Sequence, residues 1–162
     1  MLIRPTTTSD LPFLDPLFAE CRAYMRQEGN HSQWDENYPT AQVVADDIKQ
    51  GTGYVCVDEH TGEVLATFAL SDYEPEYDRL RDGAWHSSQP YVVVHRLAAK
   101  AGKGVGNFIF TYLIERYPHI RVDTHEHNQT MYHILEKYGF RHCGIVTYEG
   151  YGDRHCFDFI KA

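Results

Sequence analysis

None of the four cysteines in the 162-residue sequence, Cys21, Cys56, Cys143 and Cys156, stands in a C-x-x-C pair. That absence argues against a zinc ribbon or a dithiol redox motif and leaves four reduced thiols, several of them packed. Blocks of lysine and arginine are missing as well. The 15 basic residues are outnumbered by 23 acidic ones, for a formal net charge of −8 with histidines neutral. A nucleic-acid partner is not expected of such a chain. No apolar run approaches the roughly 20 residues of a membrane span. The opening "MLIRPTTTSD" lacks the apolar core of a signal peptide. A cytoplasmic protein without a membrane partner is expected. Internal repeats and low-complexity segments are also lacking.

What is present suffices for one globular domain over residues 1–162: the composition is 43% hydrophobic and 14% aromatic, enough for a core without disulfides or metal. Leu2 to Arg4 reads as a strand. Leu11, Leu14, Phe18, Cys21 and Met25 fall at helical spacing after "TTTSD", with Pro12 in a first turn and Pro16 as a kink or restart. Thr40 is placed to cap a second helix that ends near Gly51. "GYVCVDE" and "GEVLATFAL" read as paired strands, and "SDYEPEYDRLRDGAWHSSQ" as a long connection. Tyr91–Ala98 is a strong strand. Val105, Phe108, Ile109, Tyr112 and Leu113 share one helical face before Pro118. "IRVDT", a helix from Asn128 to Tyr138 with Gly139 as its left-handed stop, and two closing strands complete the order β-α-α-β-β-β-α-β-α-β-β. The fold class is α/β (α+β): a mixed, mostly antiparallel sheet of six to seven strands flanked by four helices.

The most informative stretch is "VVVHRLAAKAGKGVGNFIFTYLIE", Val92 to Glu115. A strand runs into Gly102, Gly104 and Gly106 and then into a helix. Glycines allow close approach to a ligand, and the unpaired N–H groups at a helix start favour phosphate. A ligand-free tight turn would use the same residues. Lys103 followed by Gly104 departs from a Walker loop, and G-x-G-x-G is not a Rossmann spacing. Asp123 does stand about where a ribose-binding acid would, but too little chain follows for two mononucleotide-binding halves.

The strand end "LAA", the loop "AGKGVG" and the later "DTHEHNQTMYHILEKYGF" resemble the motifs of the GNAT superfamily of acetyl-CoA-dependent N-acetyltransferases. The opening "IRPTTTSDLPFL" is similar to that superfamily's first strand and helix, so the resemblance spans essentially the whole chain. It implies acetyl-CoA as co-substrate. The backbones of Leu97, Ala98 and Ala99 would meet the pantetheine, and Gly102, Lys103, Gly104, Val105, Gly106 and Asn107 the pyrophosphate. Asn128 matches the motif asparagine. Two positions depart from the pattern: the Arg/Gln that opens the loop is Ala101, and the tyrosine often used as general acid is Leu135. Tyr132, one turn earlier, is the candidate to replace it.

An acceptor amine must lose a proton before attack, so a base is needed. His95, in the strand two residues before the pantetheine segment, is the first candidate; strand alternation would point it with Val93 and Leu97. His125 and Glu126 come next, while Trp34 and Tyr38 are candidate walls of an acceptor pocket, and Tyr73, Glu76 and Tyr77 of the long connection are further ones. An unidentified small-molecule or peptide amine is the expected partner, and a homodimer is left open. Two alternatives stand beside this reading. One is a non-catalytic acyl-CoA-binding module. The other is a metal-dependent hydrolase built on His125 and His127, with Asp123 nearby, although there is no H-E-x-x-H and no H-x₃₋₅-H pair with partner cysteines.

Overall fold

The computed structural model describes all 162 residues. Seven strands form one sheet: β1 (Leu2–Pro5), β2 (Gly53–Val57), β3 (Val64–Ser71), β4 (Val92–Ala99), β5 (His119–Thr124), β6 (Arg141–Tyr148) and β7 (Gly152–Ile160). The helices are α1 (Leu14–Gln27), α2 (Ala41–Gln50), α3 (Val105–Arg116) and α4 (Gln129–Lys137). The strand order is β1-β2-β3-β4-β5-β7-β6. Every neighbouring pair is antiparallel except β4 and β5, which are joined through α3 as a βαβ crossover.

Each face of the sheet buries its own apolar layer. Helices α3 and α4 cover one face, where Ile109, Phe110, Leu113 and Leu135 pack on Phe68, Ile120, Val122 and Phe157. Helices α1 and α2 cover the other face over β2 to β4, through Leu14, Leu17, Phe18 and Val44. Beyond them the connection between β3 and β4 closes that second face. Its Tyr77 is 1% exposed and packs with Val93, Val146 and Cys156. The connection also blunts the outer sheet edge, since Arg81 exchanges main-chain hydrogen bonds with Ile145 of β6.

Local signals explain the helix ends. Gly51 and Gly139 adopt left-handed φ values of 72° and 82°, the conformation glycine tolerates at a helix stop. Two helix starts differ from the sequence reading. Thr40 occupies the N-cap of α2 but makes no side-chain cap bond; the Asp15 carboxylate accepts the Ala41 N–H instead, at 2.8 Å. Residues Thr8–Phe13 form a 3₁₀ segment that contains Pro12, and α1 begins after it. Pro16 then falls in the first turn of α1, where a missing N–H costs nothing.

Candidate active site

Strands β4 and β5 pair only through Val92–Ile120, Val93–Arg121 and Val94–Val122. From His95 onward β4 has no partner on that side, and a groove opens through the sheet. Two cavities meet there and share Met25, Leu97, Asn128 and Met131. The first, of ≈ 470 Å³, runs between α1, the glycine loop and the start of α4. The second, of ≈ 400 Å³, lies on the other side of β4, beneath Trp34, Tyr38, Tyr148 and Tyr151.

The larger cavity holds most of the residues that the glycine loop suggested. Leu97, Ala99, Gly102, Gly104, Val105, Gly106, Asn107 and Asn128 all line it. Gly102 and Gly104 are left-handed, at φ 75° and 69°. A Cβ added to either would meet nothing within 4 Å, so the space beside them is open. Gly104 is the N-cap of α3, which leaves the first N–H groups of the helix unpaired and aimed at the loop. Gly106 has a different role. A Cβ there would stand 2.9 Å from Ile134 Cδ1, so glycine lets α3 approach α4. Lys103 lies off the cavity wall and Lys100 lines it, with its ammonium 2.6 Å from Glu63. The Ala98 side chain is buried among residues of α1 and α2, and Ala98 lines neither cavity.

Asn128 is the N-cap of α4, and its Oδ1 accepts the Met131 N–H at 3.1 Å. It precedes the helix, and although the Tyr132 N–H donates to the Asn128 carbonyl at 3.1 Å, Tyr132 does not line the cavities that Asn128 lines. Met131 and Ile134 follow Asn128 along the cavity wall. Tyr132 points away, packed edge-on against Phe157 with ring centroids 5.2 Å apart. Leu135 is fully buried.

His95 lies in the smaller cavity. The expectation that it shares a face with Leu97 does not hold. β4 carries a bulge between its pairings Ala69–His95 and Thr67–Ala98, and Arg96 takes a left-handed φ of 52°. The extra residue breaks the alternation. His95 stays with Val93 on the second face, while Leu97 joins the first-face core. Arg96 pays for this geometry with a bidentate pair to Asp47 of α2, at 2.6 and 2.7 Å. Both side chains are largely buried. Asp47→Ala is expected to destabilise the fold by about 3 kcal/mol, because it strands a buried guanidinium on a strained backbone. Urea denaturation would measure the loss.

The His95 Nε2 is 3.4 Å from Glu74 Oε1. Glu74 sits at the start of a short 3₁₀ turn, Pro75–Arg79, in the long connection. Tyr148 links it to Asp123: its hydroxyl donates to Asp123 Oδ2 at 2.8 Å and lies 3.3 Å from Glu74 Oε1. Tyr77 donates to the same Oδ2 at 2.7 Å. Burial pushes both phenols far above their usual range, and Asp123 adds to it, so both remain donors. Burial also lowers the His95 pKa, outweighing the opposing pull of Asp123 and Glu74. At neutral pH the imidazole is the neutral form, able to accept a proton.

Trp34 and Tyr38 are both in this cavity wall. Tyr73 is exposed, and Glu76 is paired with Arg79. His125 stands outside the wall, its Nε2 2.9 Å from Ser32 Oγ; burial lowers its pKa as well. His125 and His127 gather no third ligand. The three-residue cluster that could hold an ion is elsewhere, at His86, Cys143 and Asp158. Tyr148 and Arg154 also line the smaller cavity and carry no signal in the sequence; Asp123 stands out there only as a possible ribose acid or metal neighbour, and Glu74 only as one of several acids that would suit a cationic acceptor. No helix is long and apolar enough to cross a membrane.

A family model described as an acetyltransferase (GNAT) domain matches residues 1–141. A GNAT-family acetyltransferase structure from Streptococcus agalactiae 2603 is similar at 32% identity and a TM-score of 0.87, covering 99% of this chain and 95% of that one. Two more distant structures share the fold. A ribosomal-protein-alanine N-acetyltransferase from Brucella melitensis has 18% identity and a TM-score of 0.66, with 99% of both chains covered. A phosphinothricin acetyltransferase from Sinorhizobium meliloti, in complex with AcCoA, has 15% identity and a TM-score of 0.60, covering 99% of this chain and 88% of that one. A search of curated proteins found no match.

Proposed function

Because the chain belongs to the GNAT acetyltransferase family, we propose that it transfers an acetyl group from acetyl-CoA directly to a primary amine held in the smaller cavity. The observation that carries this reading is the junction at Leu97, where β4 leaves β5 and the two cavities meet. One side offers a bare strand edge and a glycine loop; the other offers an imidazole paired with a carboxylate.

The unpaired edge of β4 from Leu97 to Ala99 receives the pantetheine arm as an added strand. The N–H groups of Gly104 to Asn107 hold the pyrophosphate, supported by the dipole of α3. Acetyl-CoA supplies the activated acyl group, and the chain supplies position and proton transfer. An alkylammonium of pKa about 10.4 stands about 3.4 units from free base at pH 7, or roughly 4.6 kcal/mol. His95 takes that proton, and Glu74 orients the ring and stabilises the imidazolium that forms. The leaving thiol, of pKa about 8.5, needs less help. A main-chain N–H near Leu97 meets the developing oxyanion in this reading.

Cys21 is the thiol that lines the larger cavity. Its Sγ donates to the Ala99 carbonyl at 3.5 Å, and burial raises its pKa to about 11. So little of it is thiolate at neutral pH that an acetyl-enzyme is not expected. Thiol release from acetyl-CoA, followed with a panel of primary amines while both substrates are varied, tests the route. Intersecting initial-rate lines and no acetylated protein by mass spectrometry support direct transfer. Parallel lines with an acetylated chain would overturn it. Tyr132→Phe is expected to leave kcat within about twofold, since its hydroxyl lies outside the cleft.

A further inference from the structure

Arg154 of β7 is 4% exposed and lines the smaller cavity together with Gln33, Tyr38 and Tyr151. It makes three hydrogen bonds, all to main-chain carbonyls. Nη1 donates to Tyr151 O at 2.8 Å and Asp153 O at 3.0 Å, and Nη2 to Gln33 O at 3.0 Å. A guanidinium has five N–H donors, so at least two, the Nε–H among them, have no protein acceptor. None of its bonds goes to a carboxylate.

The two carboxylates whose charges act on it, Asp123 and Asp153, are already hydrogen-bonded elsewhere, and Glu149, which also lines the cavity, makes no bond to it. Asp123 accepts Tyr77 and Tyr148. Asp153 pairs with Arg81 at 2.9 Å and accepts Thr147 at 2.7 Å. The other cavity arginine shows the contrast, since Arg96 is neutralised by Asp47. Asp123 and Asp153 lie near enough for their charges to act on Arg154, but neither carboxylate hydrogen-bonds it, whereas a buried guanidinium is normally paired directly. A guanidinium with free donors facing a cavity matches a carboxylate, which can bridge two of them. The same cavity is lined by the His95–Glu74 pair.

We propose that the acceptor is a carboxylate-bearing primary amine, of the amino-acid class, whose carboxylate is received by Arg154 while its amine faces His95. The inference rests on the acetyl-transfer reading above and sharpens it. Arg154 would act as a specificity residue, and the negative Glu74 and Asp123 would favour the amine end of such a dipolar substrate.

The test compares L-amino acids with the amines that lack only the carboxylate, using acetyl-CoA-dependent thiol release and calorimetric titration of the CoA-loaded protein. The wild type should prefer the carboxylate member of a pair by about 10- to 100-fold in kcat/KM, as expected for a charged hydrogen-bonded contact. The difference should lie mainly in KM and be matched in Kd. Arg154→Gln should collapse that ratio to within about threefold, and Arg154→Lys should restore part of it. If the glutamine variant does not fold, the paired substrates on wild type still decide the matter. Equal or better turnover of the amines lacking the carboxylate would overturn the inference while leaving acetyl transfer intact. So would acetyl-CoA binding with no carboxylate member bound or turned over. Failure of the protein to bind acetyl-CoA at all would instead remove the acetyl-transfer reading itself.

Discussion

Replacing His95 by alanine should lower kcat by about 10²- to 10⁴-fold, the usual range for loss of a positioned base, with the Kd for acetyl-CoA changed by less than roughly twofold. The reason for the separation is geometric. His95 lies in the smaller cavity, across β4 from the glycine loop, and touches Glu74 rather than any residue of the larger cavity. The pH profile supplies an independent readout. Burial lowers the His95 pKa below 6.5, so the active neutral form is gained as pH rises through a value under 6.5. The plot of log kcat/KM should show that ascending limb in the wild type and lose it in the variant. Glu74→Gln should cut kcat less, because the imidazole remains and only its orienting partner is weakened. An unchanged kcat in the alanine variant would transfer the base role to another group, with Glu74 and Asp123 next in reach.

Gly104→Asp should weaken CoA binding by at least about 100-fold, of the order expected when a like charge is buried against a ligand. The substitution is chosen so that the fold survives. Gly104 is left-handed at φ 69°, a conformation aspartate tolerates better than most residues, and a Cβ there meets no neighbouring atom within 4 Å. The cost to the protein should be about 1 kcal/mol. The carboxylate, however, would stand in the open space at the positive end of α3, where a phosphate is expected. Calorimetry of CoA binding alongside thermal melting separates the two effects. Gly104→Ala provides the control, with a similar backbone cost and no charge. Equal losses of affinity in both variants would assign the effect to backbone strain rather than to a phosphate site.

The features that the sequence made legible are local ones. Gly51 and Gly139 mark helix ends because the left-handed stop is encoded within one turn. The run from Val92 to Glu115 announces strand, loop and helix through its own periodicity. Trp34, Tyr38 and His95 do come together around one cavity. The bulge at Arg96 was hidden for the opposite reason. It depends on the register between β3 and β4 and on Asp47, 49 positions away, so alternation along β4 alone puts His95 and Leu97 on one face. Tyr132 stays off the cavity wall because its ring packs on Phe157 of β7, a partner that spacing along α4 does not reveal. The His95, Glu74, Tyr148 and Asp123 cluster joins β4, the long connection, β6 and β5. Such a constellation is assembled by the sheet order and has no spacing signature of its own.

The central claim, that the groove beside the open edge of β4 receives acetyl-CoA, is tested most directly by hydrogen exchange with and without saturating acetyl-CoA. Slower exchange is expected at the amides of residues 97–107 and 128–134, with β1 and the outer strand β6 unchanged. Bound ligand with no protection between residues 97 and 107, or protection confined to another face of the sheet, would contradict it.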